Sequence, residues 1–233
     1  MRKILIFIIL SCSLVAFAAQ RYEQLSQRAA RSFEWKEWSS AAALYELMLQ
    51  ERPDSLSTYS YAIVANQMIP DTAATVDLLE RAMSHGLGLE EVLEAVRTTD
   101  FSISQGDLYG RYLLLLRTSM PWMKRGLDHQ LLKYYTFRHD GPMMVKYAGD
   151  MLAGLPNSTE YLSYLAKGYL LCNEDDKAVE TWKKILDIDP KHYITLLELG
   201  NYYLLKGNET EALPYLEQAQ SLHPTPYVAK SLN

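Results

Sequence analysis

The sequence predicts an all-α protein built as a solenoid of about five to six antiparallel helix pairs, and two observations support this prediction. First, prolines lie at positions 53, 121, 156, 190 and 224, and the gaps between them are 68, 35, 34 and 34. A constant stride of this kind is typical of repeat units that each bury one face on the next. Second, apolar residues recur within each stride at spacings of three and four, as in an amphipathic helix. We therefore expect six units, which start near residues 22, 56, 90, 125, 159 and 193.

The N-terminal segment MRKILIFIILSCSLVAFAAQ has the layout of a secretory signal. Two basic residues are followed by an apolar run and by the small-x-small sequence Ala16-Phe17-Ala18. This arrangement predicts a signal peptide at 1–18 that is cleaved on export. A retained anchor helix stays open as an alternative, although the apolar run is shorter than the about 20 residues that span a bilayer. Ile9-Leu10-Ser11-Cys12 is similar to a bacterial lipoprotein box, so lipid attachment at Cys12 is a third possibility.

Composition excludes some classes of function. Apolar residues make up 48% of the chain and charged residues 22%, as in ordinary globular proteins. Without Arg2 and Lys3, 21 of the 23 basic side chains remain against 28 acidic ones, and the basic ones are not clustered. Such a chain is poorly suited to the phosphate backbone of a nucleic acid, and we expect no nucleic-acid partner. Cys172 would be the single remaining cysteine, so no internal disulfide is expected.

The fifth and sixth units show the helix pair most clearly. The positions that carry the pattern are Leu162, Leu165, Ala166, Tyr169, Ala178, Trp182, Ile185 and Pro190 in the fifth unit, and Leu196, Leu199, Gly200, Tyr203, Ala212, Leu216, Ala219 and Pro224 in the sixth. Two antiparallel helices approach closely only where small residues face each other at the crossing. We therefore expect Ala166 to face Ala178, and Gly200 to face Ala212. The aromatic residues then fill the space on either side.

This arrangement resembles the tetratricopeptide repeat. The first two units resemble it as well, through Leu25, Ala29, Ala41, Tyr45, Met48 and Pro53 in one, and Tyr59, Ala62, Leu79 and Ala82 in the other, where Thr75 replaces an alanine. The resemblance implies a right-handed superhelix in which the first helix of each pair lines a concave groove. It further implies a protein that binds other proteins.

The third and fourth units depart from the pattern. Their small positions hold Arg97 and Tyr109 in the third unit, and Leu132 and Met144 in the fourth. Bulky residues at a tight crossing push the helices apart. The stretch RTTDFSISQGD, at 97–107, is rich in turn-forming residues, and it predicts a short first helix followed by an extended loop. This part of the chain is interpreted either as a degenerate packing seam, which we favour, or as a tailored surface.

The predicted organisation follows from these observations. It comprises a signal peptide at 1–18, N-terminal repeats at 19–88, a divergent repeat with a loop at 89–124, C-terminal repeats at 125–226, and a short cap or tail at 227–233. Thr225 is suited to cap a closing helix whose first residue would be Pro226.

The predicted groove takes its side chains from one face of each first helix. The ninth residues of the six units are Ala30, Val64, Thr98, Lys133, Lys167 and Asn201. The candidate partner-binding residues are His129, Lys133, Ser163, Tyr164, Lys167 and Asn201. Polar donors beside apolar patches suit an extended acidic or backbone-rich peptide, and ordinary solvated lysines are the alternative. The family's clamp for a terminal carboxylate is not expected, since its lysine positions hold His129, Ser163 and Leu197.

The sequence favours a binding scaffold over an enzyme. It has no glycine-rich phosphate loop, no G-x-S-x-G and no H-E-x-x-H. We predict no catalytic residue, no metal ion and no cofactor. The hypothesis is therefore a scaffold of the bacterial envelope, exported to the periplasm, which binds a protein or peptide in its groove. Lipid anchoring to the envelope and secretion are the alternative locations. A self-association module and an enzyme with an unrecognised site in the divergent middle remain as alternatives.

Overall fold

The computed structural model describes residues 19–226, and all regular secondary structure in this range is helical. The chain divides after Met120 into two compact units. The predicted cleavage site and the lipoprotein box lie outside the described residues, as does the predicted cap or tail at 227–233. Pro226 is helical, in agreement with its predicted place at the start of a closing helix.

Unit 1 contains six helices within its described part, each followed by a short turn. The helices are α1 (19–34), α2 (Trp38–Glu51), α3 (Leu56–Met68), α4 (Thr72–Ser84), α5 (Leu89–Ser104) and α6 (Asp107–Ser119). The central helix is α3, because α2, α4 and α5 all pack against it. The core of this unit therefore runs along α3, whose residues Tyr59, Ala62 and Ile63 are fully buried.

Unit 2 opens with a 3₁₀ turn at Pro121–Met123 and continues with six further helices. These are α7 (Lys124–Phe137), α8 (Gly141–Gly154), α9 (Thr159–Leu171), α10 (Asp175–Ile188), α11 (Tyr193–Leu205) and α12 (Glu209–Leu222). Each helix packs on the next one in the chain, and α8 with α9 and α11 with α12 form extensive contacts. Unit 2 is thus a stack of three consecutive helix pairs, as the constant stride of the prolines predicts.

The turns within the helix pairs share one backbone feature. Lys36, Gln105, His139, Asn173 and Gly207 all have a left-handed conformation, with φ between 53° and 75°. The last four are each separated from the next by one repeat length. A residue with positive φ after the last turn of a helix changes the direction of the backbone. N–H groups beyond the helix end can then donate to the last carbonyl groups of the helix. The turn geometry therefore repeats with the same period as the prolines, although five different residue types occupy it.

The small residues predicted at the helix crossings are all buried. Ala166, Ala178 and Ala212 are fully buried, and Gly200 is buried as well. In α9, α10 and α11, the side chains around the first crossing form one hydrophobic cluster that includes Trp182. These small residues let the helix backbones approach each other while the larger apolar side chains fill the volume around them.

The short helix and extended loop predicted at 97–107 are wrong. In the structure α5 has 16 residues, and only Gln105 and Gly106 separate it from α6. The hydroxyl groups of Thr98 and Thr99 donate to carbonyl oxygens four residues earlier. The hydroxyl groups of these side chains therefore find hydrogen-bond acceptors within the helix, and the helix continues past them.

Asp100 explains why the helix continues to Ser104. Its side chain is fully buried, and one oxygen accepts a hydrogen bond of 2.7 Å from the backbone N–H of Tyr109, in the first turn of α6. The other oxygen accepts from the hydroxyl of Ser104 at 2.5 Å. The carboxylate of α5 thus satisfies a donor at the start of α6, so this part of the divergent repeat is a tight, hydrogen-bonded junction.

Two glycines, Gly141 of α8 and Gly168 of α9, let these two helices approach each other closely. Leu132 and Met144 are fully buried in α7 and α8. A Cβ atom built on Gly168 of α9 would lie 3.1 Å from the Cβ of Met144, and one on Gly141 would lie 2.8 Å from the Cβ of Leu171. In this unit the close approach is therefore between α8 and α9, where Gly141 and Gly168 lie, and not between the two helices of the pair.

Candidate partner-binding surfaces

The six candidate partner-binding residues all lie on the first helices of the pairs in unit 2. Lys133 of α7 and Lys167 of α9 are exposed, and Asn201 of α11 is half-buried. Because each is one repeat length from the next, they occupy equivalent positions on three successive first helices. Two exposed lysine side chains thus lie along this side of unit 2, next to the half-buried Asn201. We call this surface, formed by Lys133, Lys167 and Asn201, the lysine face.

Two other predicted residues beside the lysine face are partly engaged by the protein itself. His129 is half-buried, and its Nδ1 lies 3.3 Å from the hydroxyl of Tyr161, within hydrogen-bond range. The hydroxyl of Ser163 donates to the carbonyl oxygen of Thr159 at 2.8 Å. The hydroxyl oxygen of Ser163 can therefore accept a hydrogen bond from a partner, but the hydroxyl proton is already donated within the helix.

The predicted Tyr164 and the unpredicted Glu198 occupy the same position in consecutive repeats. Burial raises the pKa of the Tyr164 hydroxyl, and the nearby carboxylate of Glu160 raises it further, so this side chain is neutral at ordinary pH. It therefore offers a ring and a hydroxyl, while Glu198 offers a carboxyl group.

Glu198 of α11 is the residue of this region that sequence reasoning missed. The indole N–H of Trp182 donates to its Oε2 at 2.7 Å. Burial raises the pKa of the Glu198 carboxyl, an effect that the indole hydrogen bond and the charge of Lys167 partly offset. The signal that could have found it is the repeat itself, since one full repeat leads from Tyr164 to Glu198.

Unit 1 contains a cavity with a volume of about 370 Å³ on the side of the predicted groove. Its lining residues are Ser26, Ala30, Phe33, Glu34, Tyr45, Met48, Ser57, Thr58, Tyr61 and Ser102. Ala30 is the predicted groove position of the first unit. The cavity lies within the size range of small-ligand sites, about 300–1,000 Å³. We call it the aromatic pocket.

Three rings form one wall of the aromatic pocket. The ring centroids of Phe33 and Tyr61 are 4.9 Å apart with an edge-on arrangement, and those of Tyr45 and Tyr61 are 5.5 Å apart and stacked. Tyr45 is buried and Tyr61 is 36% exposed, so the wall presents its Tyr61 side to solvent. Burial raises the pKa of Tyr45, which keeps its hydroxyl neutral. Repeat spacing predicts a core role for Tyr45, but it does not bring Phe33 and Tyr61 together.

The remaining groove positions of unit 1 differ in exposure. Thr98 is exposed on α5. The prediction for Val64 is wrong, because this side chain is fully buried. The reason is that α5 packs against α3 and covers this face of it.

Residues 19–226 contain neither a metal-binding cluster nor a membrane-spanning helix. No group of three His, Cys, Asp or Glu side chains in this range could hold a metal ion. Within the same range, every helix is too short or too polar to cross a bilayer.

Comparisons with known proteins agree with the repeat architecture. No protein-family model matches the chain. The cellulose synthase operon protein C of Xanthomonas axonopodis pv. citri (strain 306) is 44% identical over 50 residues, which make up 22% of this chain and 3% of that protein. The match thus spans a very small part of that relative's length.

Among solved structures, PilW, a widely conserved type IV pilus biogenesis factor, has a TM-score of 0.52 and 16% identity, and the match covers 92% of this chain and 99% of PilW. YrrB, a tetratricopeptide-repeat protein with an unusual peptide-binding site, has a TM-score of 0.34 and 17% identity over 87% of this chain and 86% of YrrB. The C-terminal part of a tetratricopeptide-repeat protein from Cytophaga hutchinsonii has a TM-score of 0.41 and 12% identity over 89% and 99% of the two chains.

Identities this low concern the fold alone. The stacked helix pairs, the small residues at their crossings and the likeness to PilW together define the class: the chain has the tetratricopeptide-repeat fold. The resemblance inferred from the repeat positions is therefore confirmed at the level of the fold.

Proposed function

We propose that the protein is a non-enzymatic scaffold of the bacterial cell envelope, which binds an extended segment of a partner protein along the lysine face of unit 2. The observation that supports this proposal is the presence of exposed Lys133 and Lys167 at equivalent positions of successive first helices. Two cations in register suit a segment with acidic side chains. Neighbouring hydroxyl and amide groups can bond to its backbone.

Export to the periplasm is part of the proposal and is supported by the signal-like layout of residues 1–18. Attachment through Cys12 is the alternative form of the same location. Fractionation of the native host with an antibody to the chain tests this point. Recovery of the protein in the cytoplasm would contradict it.

The partner is best identified by crosslinking in the native host, followed by mass spectrometry. A double variant then tests the surface. Lys133→Glu with Lys167→Glu is expected to abolish recovery of the crosslinked partner in a pull-down, because two attractive charges become repulsive. Helicity and melting temperature should not change, since both side chains are exposed.

The chain offers a matched control for this charge change. Lys183 and Lys184 are exposed neighbours on α10, the second helix of their pair. Lys183→Glu with Lys184→Glu alters the net charge equally but leaves the lysine face intact, so partner recovery should persist. Equal recovery with both double variants would remove the lysine face from the proposal.

Self-association is the second candidate function, and Leu205 at the end of α11 favours it because its side chain is 87% exposed. A second copy of the chain that covered this side chain would remove its apolar surface from water, which is favourable. Sedimentation of the purified protein separates the two functions. A monomer at micromolar concentration is expected for the scaffold, and a dimer that Leu205→Ser dissociates would support self-association.

A further inference from the structure

The aromatic pocket of unit 1 combines a ring wall with a carboxylate, and this combination is suited to a cation. We propose that the pocket binds an arginine side chain of the partner protein. This inference rests on the proposed scaffold function and specifies one chemical feature of the partner.

Charge is the first argument. Glu34 is the single charged residue among those that line the pocket, and its side chain is exposed at the end of α1. Within the described part of the chain, Glu34 has no ion-pair partner. Arg31, one helical turn earlier, lies over the ring of Trp35 at 5.8 Å instead. The carboxylate is therefore available to a cation that enters from outside.

The ring wall is the second argument. The faces of aromatic rings attract cations, and energetically significant pairs have the cation within about 6 Å of the ring centroid. Tyr61 is the most open ring of the wall and is supported from behind by Tyr45 and Phe33. A flat cation can thus contact the exposed part of the Tyr61 ring while it approaches Glu34.

The shape of the site favours arginine over lysine. A guanidinium group is planar, stacks on rings and donates two parallel hydrogen bonds to a carboxylate, whereas an ammonium group is a compact and strongly hydrated charge. The hydroxyl groups of Ser26 and Ser57 on the lining offer further acceptors for the remaining N–H donors. The volume of about 370 Å³ leaves room for a long side chain and its hydration.

The test uses the purified, ¹⁵N-labelled protein and four capped tripeptides of the form acetyl-Gly-X-Gly-amide, in which X is arginine, citrulline, lysine or leucine. Citrulline has nearly the shape of arginine but carries no charge. We expect the arginine peptide to shift the amide resonances of Ala30, Phe33 and Tyr61 at millimolar concentration. The citrulline peptide should bind about tenfold more weakly, since it lacks the charge-assisted contacts.

Two variants and one control complete the design. Glu34→Gln should make the arginine and citrulline peptides bind alike, and Tyr61→Leu should weaken the arginine peptide while the amide spectrum stays folded. Glu23→Gln, on the same helix outside the pocket lining, is the control and should bind like the unchanged protein. Equal binding of the arginine and leucine peptides, or an arginine peptide that binds Glu34→Gln as tightly as the unchanged protein, would overturn the proposal.

The outcomes separate this inference from the proposed function. If the arginine peptide does not bind but the variant of Lys133 and Lys167 still loses the partner, the pocket proposal fails and the scaffold proposal stands. If the same pocket amides shift when the protein alone is concentrated, the occupant is a second copy of this chain. The assignment to a foreign partner is then overturned.

Discussion

Gly200 lies where α11 and α12 cross, and its replacement by alanine tests the packing that defines the fold. A Cβ atom at this position would lie 2.6 Å from both Cγ and Cδ2 of Leu216. Ordinary contacts of a Cβ atom begin near 3.4 Å. Because Leu216 is only 1% exposed and its branch point is involved, the side chain cannot simply swing away. Either the leucine or the helix backbone must move.

The magnitude follows from two opposing effects. Overpacking of a well-filled core costs about 1–3 kcal/mol. Alanine in place of glycine inside a helix contributes about 1 kcal/mol in the other direction. With a clash against the branch point of a buried leucine, we expect Gly200→Ala to lower the free energy of unfolding of this region by about 1–2 kcal/mol.

Gly149 provides the matched control in the same unit. It lies inside α8 and is exposed, and a Cβ atom there would meet no atom within 4 Å. Gly149→Ala should therefore stabilise the protein by about 0.5–1 kcal/mol through helix propensity alone. The difference between the two variants isolates the cost of overpacking.

Native-state hydrogen exchange is the suitable assay, because the two units need not unfold in one transition. Amides of α11 and α12 should lose protection in Gly200→Ala and keep or gain it in Gly149→Ala. Equal protection in the two variants would refute the close crossing of α11 and α12. The small-residue interpretation of the repeat would fall with it.

Two further predictions concern α10 and its contact with α11. Ala178→Trp should lower the free energy of unfolding of the C-terminal helices by about 3 kcal/mol, because it overpacks a fully buried position. Thermal melting followed by circular dichroism should then lose cooperativity. Burial raises the pKa of the Glu198 carboxyl, so the folded state binds a proton at this group more tightly than the unfolded state. The contribution of this group to the free energy of unfolding therefore falls as the pH rises above 4.5. Glu198→Gln, which can still accept from Trp182, should therefore gain in urea midpoint relative to the unchanged protein from pH 4.5 toward neutrality; a constant difference across this range would contradict the raised pKa.

The helix pairs are predictable from sequence because their period and their small residues are local features. Ala178 and Gly200 can be recognised from spacing alone, since only small side chains are compatible with a close helix crossing. The left-handed backbone conformation in the turn of each pair recurs with the same period. The side chains at this position, such as those of Gln105 and His139, have no chemical property in common that would predict it. Because different residue types adopt the left-handed conformation there, the residue type does not reveal it.

The error at 97–107 has a different origin. A turn-forming residue such as Asp100 can lie inside a helix when the fold supplies hydrogen-bond partners for its side chain. In the structure its carboxylate bonds to the N–H of Tyr109, nine residues later. A buried acidic group is stable when two donors satisfy it, and only the fold shows that these donors are present. The same limit applies to the aromatic pocket, since Phe33 and Tyr61 come from different helices and occupy no shared repeat position.

The two candidate surfaces carry opposite charge, and this has a consequence for the partner. The lysine face presents Lys133 and Lys167, whereas the aromatic pocket presents Glu34. A uniformly acidic segment would be repelled by the pocket, and a uniformly basic one would be repelled by the lysine face. A segment with both signs of charge, including at least one arginine, satisfies each surface separately. Because exposed charges are screened within about 8 Å at physiological salt, capture through the lysine face should weaken as salt is added. The arginine contact should persist longer, because its ring contacts do not depend on charge alone.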